Sequence, residues 1–560
     1  MLTATWSWLW EKHDQVKDMF RFFVKPTQAT MVKEEKSEKG KNNTSTSNTN
    51  NRGNGDGGGD GNKRTYTTVQ LIGLIAGPVL FLITLFTFQP EGLSSEGLAI
   101  LASTIWIAIW WMTEAVPIPV TSLLPIILFP LTGGMEIGET TSSYGNDTIF
   151  LFMGGFMIAL AMERWNLHRR IALVIISIMG TNTDRIVLGF MVATGFLSMW
   201  ISNTATAMMM VPIGLAIIYQ VSDALKEDSS IDTSKENFAF GKALMLGIAY
   251  SASIGGISTL IGTPPNTLLA GAVNELYGIE ISFASWMLFG VPFAWIFIFV
   301  AWYYLVKVAH PLKLKHLPGG KHVINTEMKK LGKASYEEKA VFAVFIFAAF
   351  AWITRSFILN EFIPGLNDAI IAMIAALILF IIPAKNIQGD RLLNWETAVK
   401  LPWGILLLFG GGLAIAAGFT SSGLSEWIGY QLTALQGVNL MVVILIVAAL
   451  VIFLTEITSN TATASMMFPI MASVALALNI HPFAVMVAAA VAASCAFMLP
   501  VATPPNAVVF GSGYLRIPDM AKTGFLLNIL GVFVVTLAIY FLLPTVWSID
   551  LTQYPEILRG

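Results

Sequence analysis

Two copies of one polar motif stand inside long apolar stretches of the sequence. Ser202-Asn-Thr-Ala-Thr-Ala-Met-Met-Met-Val-Pro-Ile213 recurs as Ser459-Asn-Thr-Ala-Thr-Ala-Ser-Met-Met-Phe-Pro-Ile470, and 10 of these 12 positions are identical at an offset of 257 residues. Each copy offers hydroxyl, amide and backbone oxygens without a fixed charge. Such oxygen ligands suit a small hard monovalent cation such as sodium. The motif therefore predicts two related cation sites.

A second pair of motifs combines threonine, two prolines and asparagine. Gly262-Thr-Pro-Pro-Asn266 is matched by Ala502-Thr-Pro-Pro-Asn506 at an offset of 240 residues. Adjacent prolines break a helix, which leaves free carbonyl groups on one side and free N–H groups on the other. The N-terminus of the helix that restarts attracts a carboxylate. Each half of the chain is thus expected to build one cation site and half of a shared anion site.

Charged residues are scarce around these motifs. None lies within 186–222 or 243–274, and Glu456 is the only one within 427–515. Without an arginine to hold an anion, co-bound cations would supply part of the attraction, and anion binding would then depend on them. A proton-coupled carrier would keep several buried carboxylates or histidines, and an enzyme would need catalytic His, Cys, Asp or Lys groups near the breaks. The pattern favours a cation-coupled anion carrier over an enzyme, with a channel as a further alternative.

Glu456 has two interpretations. It directly follows Thr455, so it could sense protons or lie near a bound cation. A carboxylate in an apolar segment is more often a buried structural group that is bonded to hydroxyls or amides. The structural interpretation is favoured, and the functional one stays open.

The composition sets the class of protein. Of the 560 residues, 55% are hydrophobic and 12% are charged, whereas soluble domains carry about 25% charged residues. The mean hydropathy of +0.67 agrees with this. A single cysteine, Cys495, excludes a disulfide framework or a cysteine-based metal site. The net charge of −2 argues against nucleic acid as a partner.

The predicted fold class is an all-α polytopic membrane protein. We expect about 11 transmembrane helices plus two re-entrant hairpins in an inverted repeat, with broken helices at the midplane of the bilayer. The predicted first half consists of a cytoplasmic tail, amphipathic then disordered, at 1–64, N-terminal scaffold helices at 65–131, and a first repeat core at 132–306 with a hairpin at 186–221 and a broken helix at 241–274. A cytoplasmic loop at 307–338 is expected to follow. The predicted second half consists of scaffold helices at 339–402, a second repeat core at 403–547 with a hairpin at 438–478 and a broken helix at 482–513, and a C-terminal tail at 548–560.

Loop charges predict the orientation. The predicted outer loops 89–97, 132–147, 267–285 and 420–440 contain no Lys or Arg, whereas the loop at 307–339 contains eight lysines. Basic loops stay in the cytoplasm. The N-terminus is therefore expected to be cytoplasmic, and the two halves are expected to have opposite orientations.

The paired Ser-Asn-Thr and Thr-Pro-Pro-Asn motifs, together with the order of the hairpins, resemble the divalent anion/sodium symporter family over roughly residues 66–547. The resemblance implies a homodimeric carrier in the plasma membrane that works by an elevator mechanism, with a static scaffold and a mobile transport domain in the lipid bilayer. It also implies Na+ as the co-transported ion, a dicarboxylate as the substrate and no organic cofactor.

The resemblance also implies the ligands. Two sodium sites and one substrate site are implied, and all of them draw on the repeated motifs. Sodium site 1 would use Ser198, Ser202, Asn203 and Gly262; sodium site 2 would use Thr455, Ser459, Asn460 and Ala502; the substrate would contact Ser202, Asn203, Thr204, Thr263, Pro264, Ser459, Asn460, Thr461, Thr503 and Pro504. Both halves keep the full motif, which favours the C4 dicarboxylates succinate, fumarate and malate. The alternatives are a sodium-independent dicarboxylate exchanger, or a sodium-coupled citrate or sulfate carrier of the same fold.

Overall fold

A computed structural model describes residues 66–180, 182–225, 232–235, 237–312, 320–433 and 436–558. Within these ranges the regular secondary structure is helical, and an isolated β-bridge joins Pro383 to Arg391. The predicted amphipathic and disordered tail at 1–64 lies outside the described residues.

The N-terminal half begins with a group of helices at the predicted scaffold and continues into the predicted first core. Its helices are α1 Thr68–Thr87, α2 Ser95–Thr113, α3 Ile118–Thr121, α4 Leu124–Thr132, α5 Ile137–Ser142, α6 Asp147–Arg164, α7 Leu167–Ile178, α8 Thr183–Ser198, α9 Asn203–Ala224, α10 Ala239–Gly256, α11 Pro264–Tyr277 and α12 Phe283–Tyr303.

The helices of the C-terminal half begin at Gly320. Its helices are α13 Gly320–Leu331, α14 Tyr336–Thr354, α15 Asn360–Phe362, α16 Asp368–Ile381, α17 Trp395–Ala398, α18 Trp403–Ser421, α19 Leu424–Gln431, α20 Leu440–Thr455, α21 Asn460–Leu478, α22 Pro482–Ala493, α23 Pro504–Phe510, α24 Ile517–Leu537 and α25 Leu543–Trp547.

The helices have the length and composition of membrane spans. Among the described residues, 9 helices are long and apolar enough to cross a bilayer, and four shorter apolar helices accompany them. Large apolar side chains such as Ile72 and Phe86 on α1 are exposed, as expected of side chains that face lipid. The predicted class, an all-α polytopic membrane protein, is confirmed. Two of the nine long helices, α9 and α21, belong to the predicted re-entrant hairpins.

Each Ser-Asn-Thr motif lies at the turn of a helical hairpin. Helix α8 ends at Ser198 and α9 begins at Asn203, while α20 ends at Thr455 and α21 begins at Asn460. The two turns keep the offset of 257 residues that the sequence shows. Ser202 is the N-cap of α9, and its hydroxyl accepts a hydrogen bond from the backbone N–H of Ala205.

Each Thr-Pro-Pro-Asn motif restarts a broken helix. Helix α10 stops at Gly256 and α11 begins at Pro264; α22 stops at Ala493 and α23 begins at Pro504. Proline at the first position of a helix costs no hydrogen bond, because that N–H has no partner inside the helix. The prolines therefore fix where each second half-helix begins.

The two halves of the chain interlock. The hairpin helix α9 of the first half packs against α23 of the second, and the hairpin helix α21 of the second half packs against α11 of the first. Each motif helix is therefore supported by the broken helix of the other half. Helix α10, which precedes the first break, also packs against α23, which follows the second break.

A short helix leads into each hairpin, α7 in the first half and α19 in the second. Asn166 and Gly423, which cap the starts of these helices, both have positive φ, at 57° and 73°. Beyond their ends, Gly180 and Gly437 have φ of 88° and 87°. The four residues form two pairs at the offset of 257, so both connecting helices have a residue with positive φ at the start and another beyond the end.

Candidate ion-binding site

The first hairpin turn gathers uncharged oxygen atoms around Asn203. The Ser198 hydroxyl donates to the carbonyl oxygen of Ala252 at 2.6 Å and also contacts the side-chain amide of Asn203. One terminal atom of that amide lies 3.2 Å from the carbonyl oxygens of both Ala252 and Gly262. Of the four predicted ligands of sodium site 1, Ser198, Asn203 and Gly262 are thus brought together.

The chemistry of this cluster fits a small cation. If the amide oxygen of Asn203 faces the two carbonyl oxygens, three partial negative charges converge with no proton between them. Rotating the amide places its NH2 group there instead, and the NH2 group can then donate to both carbonyls. Asn203 can therefore close the cluster by itself or offer its oxygen to a cation.

Glycine is required where the first broken helix folds back on itself. A Cβ atom at Gly262 would lie 2.3 Å from the carbonyl oxygen of Gly256, and a Cβ at Gly256 would lie 2.7 Å from the amide oxygen of Asn203. The two backbone segments of the break are therefore in direct contact beside Asn203. This close approach places the Gly262 carbonyl in the oxygen cluster.

The second hairpin turn repeats the central contact. The Thr455 hydroxyl donates to the amide oxygen of Asn460 at 2.7 Å and lies 3.2 Å from the carbonyl oxygen of Ala493. Thr455 is fully buried. The backbone N–H of Ala502 donates to the carbonyl oxygen of Leu499, as that of its counterpart Gly262 does to Thr259. Within the described ranges, no hydrogen bond joins Ala502 to Asn460.

The predicted substrate contacts lie at helix starts. Ser202 and Ser459 cap α9 and α21, and Thr263 and Thr503 cap α11 and α23 in extended conformation. Free backbone N–H groups and the positive ends of the helix dipoles occur at these positions. The half-buried members of the set are Ser202, Asn203, Thr204, Pro264, Ser459 and Asn460; Thr263, Thr461 and Thr503 are buried, and Pro504 is exposed.

The asparagine that ends the first Thr-Pro-Pro-Asn motif holds the break in shape. The side-chain NH2 group of Asn266 donates to the carbonyl oxygens of Gly256 at 3.1 Å, Ile257 at 3.2 Å and Thr259 at 2.7 Å. Asn266 is fully buried. It therefore satisfies carbonyl groups that the end of α10 leaves without partners.

The second motif uses its asparagine in the same way. The NH2 group of Asn506 donates to the carbonyl oxygens of Ala496 at 3.2 Å and Leu499 at 3.0 Å. These acceptors are the counterparts of Gly256 and Thr259 at the offset of 240 residues. Asn266 and Asn506 were absent from the predicted ligands, although their repetition in both halves was visible in the sequence.

Glu456 is bonded to backbone amides, as the structural interpretation predicts. Its carboxylate accepts hydrogen bonds from the N–H groups of Phe497 at 2.7 Å, Met498 at 2.9 Å and Leu499 at 3.1 Å. The side-chain amide of Asn528 donates to it at 2.7 Å. The carboxylate thus joins the second hairpin turn to the second break and to α24.

Two of the solved structures that resemble this chain align with the same TM-score. MtrF of Neisseria gonorrhoeae, described as one of a class of antimetabolite efflux pumps, aligns with a TM-score of 0.48 and 12% identity over 85% of this chain and 95% of that chain. The YdaH transporter of Alcanivorax borkumensis aligns with a TM-score of 0.48 and 15% identity over 72% and 87%.

Relatives found by sequence are far more similar to this chain than these two structures. The sodium-dependent dicarboxylate transporter SdcS of Staphylococcus saprophyticus is 52% identical over 494 residues, which cover 88% of this chain and 94% of that protein. The transporter of the same name from Staphylococcus aureus strain MRSA252 is 50% identical over 494 residues, with the same coverage. The sequence family described as the sodium:sulfate symporter transmembrane region matches residues 68–548. Both hairpin turns and both broken helices lie inside that match, and the chain belongs to the sodium:sulfate symporter family.

Proposed function

We propose that this protein is a secondary active transporter that carries C4 dicarboxylates such as succinate, fumarate and malate together with sodium across the cell membrane. The observation that carries the proposal is the pair of repeat-related oxygen clusters, Ser198 with Asn203 and Thr455 with Asn460, at the starts of helices. Two relatives at 50% identity or more are named sodium-dependent dicarboxylate transporters, which supports the choice of ion and substrate.

The charge balance explains why sodium would be required. A dicarboxylate brings two negative charges into a region where Glu456 is the only charged residue within 427–515, and that residue is itself negative. Helix N-termini supply part of the compensation. Cations bound beside Asn203 and Asn460 would supply the rest, so that substrate and sodium bind more tightly together than alone.

The substrate would lie between the two halves. In this proposal, one carboxylate contacts Ser202, Asn203 and Thr204 with Thr263 and Pro264. The other contacts the counterparts in the second half, which are Ser459, Asn460, Thr461, Thr503 and Pro504. Because α9 packs against α23 and α21 against α11, each of these groups is supported by both halves. Two equivalent polar groups suit a molecule with one carboxylate at each end.

We also propose that transport follows an elevator mechanism in a homodimer whose N-terminus is cytoplasmic. The hairpins and broken helices, which interlock, would form the mobile transport domain. Helices α7 and α19 would connect it to the scaffold, since positive-φ residues bound both of them. The absence of Lys and Arg from the loops 89–97 and 420–440 supports an outer location for those loops.

Uptake by proteoliposomes tests the proposal. We expect radiolabelled succinate to accumulate when an inward sodium gradient is applied, and accumulation to vanish when choline replaces sodium. Asn203→Ala and Asn460→Ala are expected to lower uptake at least tenfold, because each removes an amide from an oxygen cluster. Asn182→Ala is the matched control, since that residue starts α8 without a side-chain cap bond.

The same vesicles separate the alternatives. Uptake in choline that is accelerated by unlabelled succinate inside would contradict sodium coupling and indicate an exchanger. Sodium-driven accumulation of citrate or sulfate in preference to succinate would contradict the C4 assignment while leaving the coupling intact.

A further inference from the structure

The two hairpin turns differ at one position that changes their charge. Met199 follows Ser198 in the first turn, and Glu456 follows Thr455 in the second, at the same offset of 257 residues. Both side chains are buried, with 4% and 3% of their surface exposed. One half of an otherwise matched pair of sites therefore has a carboxylate beside its hydroxyl ligand, and the other has a thioether.

The lengths of the two breaks differ as well. The first break is seven residues, 257–263, and the second is ten, 494–503. In the first half the N–H groups of Ile257 and Ser258, at the start of the break, donate to carbonyl oxygens of the last turn of α10 at 3.1 and 3.0 Å. The counterparts in the second half, Phe497 and Met498, donate to Glu456 instead.

Glu456 explains why α22 unwinds earlier than α10. A carboxylate that accepts several backbone N–H groups replaces the carbonyl partners that a helix would provide. In the first half, Met199 stands at the position of the carboxylate. There the Thr259 hydroxyl donates to the Met199 carbonyl oxygen at 2.5 Å, which joins turn and break without a charge. The carboxylate therefore stabilises a longer stretch of non-helical backbone beside the second site.

Two side chains clamp this stretch from opposite sides. The peptide unit between Ala496 and Phe497 directs its carbonyl to Asn506 at 3.2 Å and its N–H to Glu456 at 2.7 Å. Leu499 repeats this arrangement, since its carbonyl accepts from Asn506 at 3.0 Å and its N–H donates to Glu456 at 3.1 Å. The second hairpin turn, the second break and α23 are thereby fixed to one another.

Hydrogen-bond donors without a formal charge surround the carboxylate of Glu456. Its hydrogen-bond donors are three backbone N–H groups and the amide of Asn528, and no Lys or Arg occurs within 427–515. A buried charge is screened little by salt. A unit charge within about 10 Å of a cation changes the binding constant roughly tenfold at an effective dielectric constant of about 20.

We propose that Glu456 is the positioning residue of the second cation site, and that its fixed negative charge makes this site fill at lower sodium concentration than the first. The carboxylate would not touch the cation. It holds the non-helical backbone beside Thr455 and adds a negative field that the first site lacks. This inference rests on the proposed sodium-coupled function and adds an order of filling to it.

The test measures the sodium dependence of succinate uptake in full-length protein reconstituted in proteoliposomes. Glu456→Gln removes the charge and is expected to weaken the second site roughly tenfold. Because uptake needs both sites and the first site fills last, we expect the sodium concentration for half-maximal uptake to rise roughly twofold and the sodium curve to become sigmoidal. Glu456→Asp keeps the charge and is expected to restore most of the sodium affinity. Met199→Leu is the matched control at the repeat-related position and is expected to leave it unchanged.

Thermal unfolding of the purified protein, without succinate, provides a second readout. The wild type is expected to show a rise in Tm at low sodium concentration, and Glu456→Gln is expected to need roughly tenfold more sodium for the same rise. Asn528→Ala removes two hydrogen bonds, one donated to Glu456 and one accepted from the Phe497 N–H, but keeps the charge. We expect it to lower the Tm at every sodium concentration without moving the midpoint of the sodium response. This variant therefore tests the proposal even if Glu456→Gln fails to fold.

The outcomes separate the two proposals. A Glu456→Gln protein with an unchanged sodium midpoint, or an Asn528→Ala protein whose midpoint rises tenfold, would overturn the role of the charge. A wild-type protein whose uptake and Tm are the same in sodium and choline would instead overturn the proposed function.

Discussion

Gly180 and Gly437 occupy the same structural position in the two halves of the chain. Their φ angles are 88° and 87°, and apart from the adjacent residues no atom of the described part of the chain lies within 4 Å of the place where a Cβ would be. Each lies between a short connecting helix and the hairpin that holds a Ser-Asn-Thr motif. The left-handed backbone conformation, and not crowding, is therefore the reason for glycine at both positions.

The first prediction concerns these two glycines. Gly180→Ala and Gly437→Ala place a Cβ in a left-handed conformation, which costs about 1 kcal/mol. If α7 and α19 connect a moving domain to a scaffold, the double variant is expected to slow the maximal rate of uptake severalfold while leaving the sodium midpoint unchanged. Single-turnover and steady-state uptake measure this.

The control for that prediction is Gly365→Ala. Gly365 also has open space around its Cβ position, but its φ is not in the left-handed region. We expect wild-type rates from this variant. Wild-type rates in the Gly180 and Gly437 double variant would show that the backbone conformation at these two glycines does not limit transport.

The second prediction concerns the close approach inside the first break. Gly262→Ala forces a Cβ to within 2.3 Å of the Gly256 carbonyl oxygen, so the backbone must move. This movement displaces the Gly262 carbonyl from Asn203, and we expect sodium-dependent uptake to be lost. Ala502→Gly, the reverse change at the related position, is expected to keep uptake, because the structure already tolerates a side chain there.

Uptake and the sodium-dependent rise in Tm, measured on both variants, check this prediction. A Gly262→Ala protein that folds and transports with the wild-type sodium midpoint would show that the Gly262 carbonyl takes no part in binding.

The third prediction concerns His310, which follows the long apolar segment of α12 on the predicted cytoplasmic side. Burial, together with the nearby Lys242, lowers the pKa of His310 to about 4, although Asp519 opposes the effect. The neutral ring lies 3.2 Å from the Thr523 hydroxyl. An unfolded chain, with a histidine pKa near 6.5, binds a proton that the folded chain does not.

The stabilising contribution of neutral His310 is therefore present above pH 6.5 and lost progressively as the pH falls toward 4. We expect the Tm of the wild type to fall more between pH 6.5 and 4 than that of His310→Gln. Thermal unfolding at several pH values measures the difference. Parallel curves for the two proteins would contradict a buried neutral histidine.

Much of the candidate site follows from sequence because its two halves are copies. The offset of 257 residues predicted both hairpin turns, and it also paired Ser198 with Thr455, which the structure places against Asn203 and Asn460. The chain belongs to a family of symporters, so the expectation of a transporter and not an enzyme is confirmed. Adjacent prolines predicted where α11 and α23 begin, since local sterics alone determine that position.

The differences between the halves were harder to predict. The longer second break depends on Glu456, which is 41 residues from Phe497 in sequence and reaches it only after folding. The glycines Gly180 and Gly437 could have been paired from the sequence, although they were not predicted. Gly180-Thr-Asn182 and Gly437-Val-Asn439 share glycine and asparagine at the offset of 257. Tertiary partners and backbone conformation outside the obvious motifs account for what the sequence alone did not reveal.

The fourth prediction concerns the two asparagines that hold the breaks. Asn266 donates to three carbonyl oxygens and Asn506 to two. The two N–H bonds of Asn266 are shared among its three acceptors. A buried acceptor that loses its donor costs about 1–3 kcal/mol, and Asn266→Ala removes the donor from three carbonyls and Asn506→Ala from two, so we expect Asn266→Ala to lower the Tm more. Asn266→Asp keeps the shape of the side chain but turns an oxygen toward three carbonyl oxygens, and it is expected to be the most destabilising of the three. Thermal unfolding in detergent ranks the variants, and an Asp variant as stable as the wild type would show that the NH2 group of Asn266 does not hold the break.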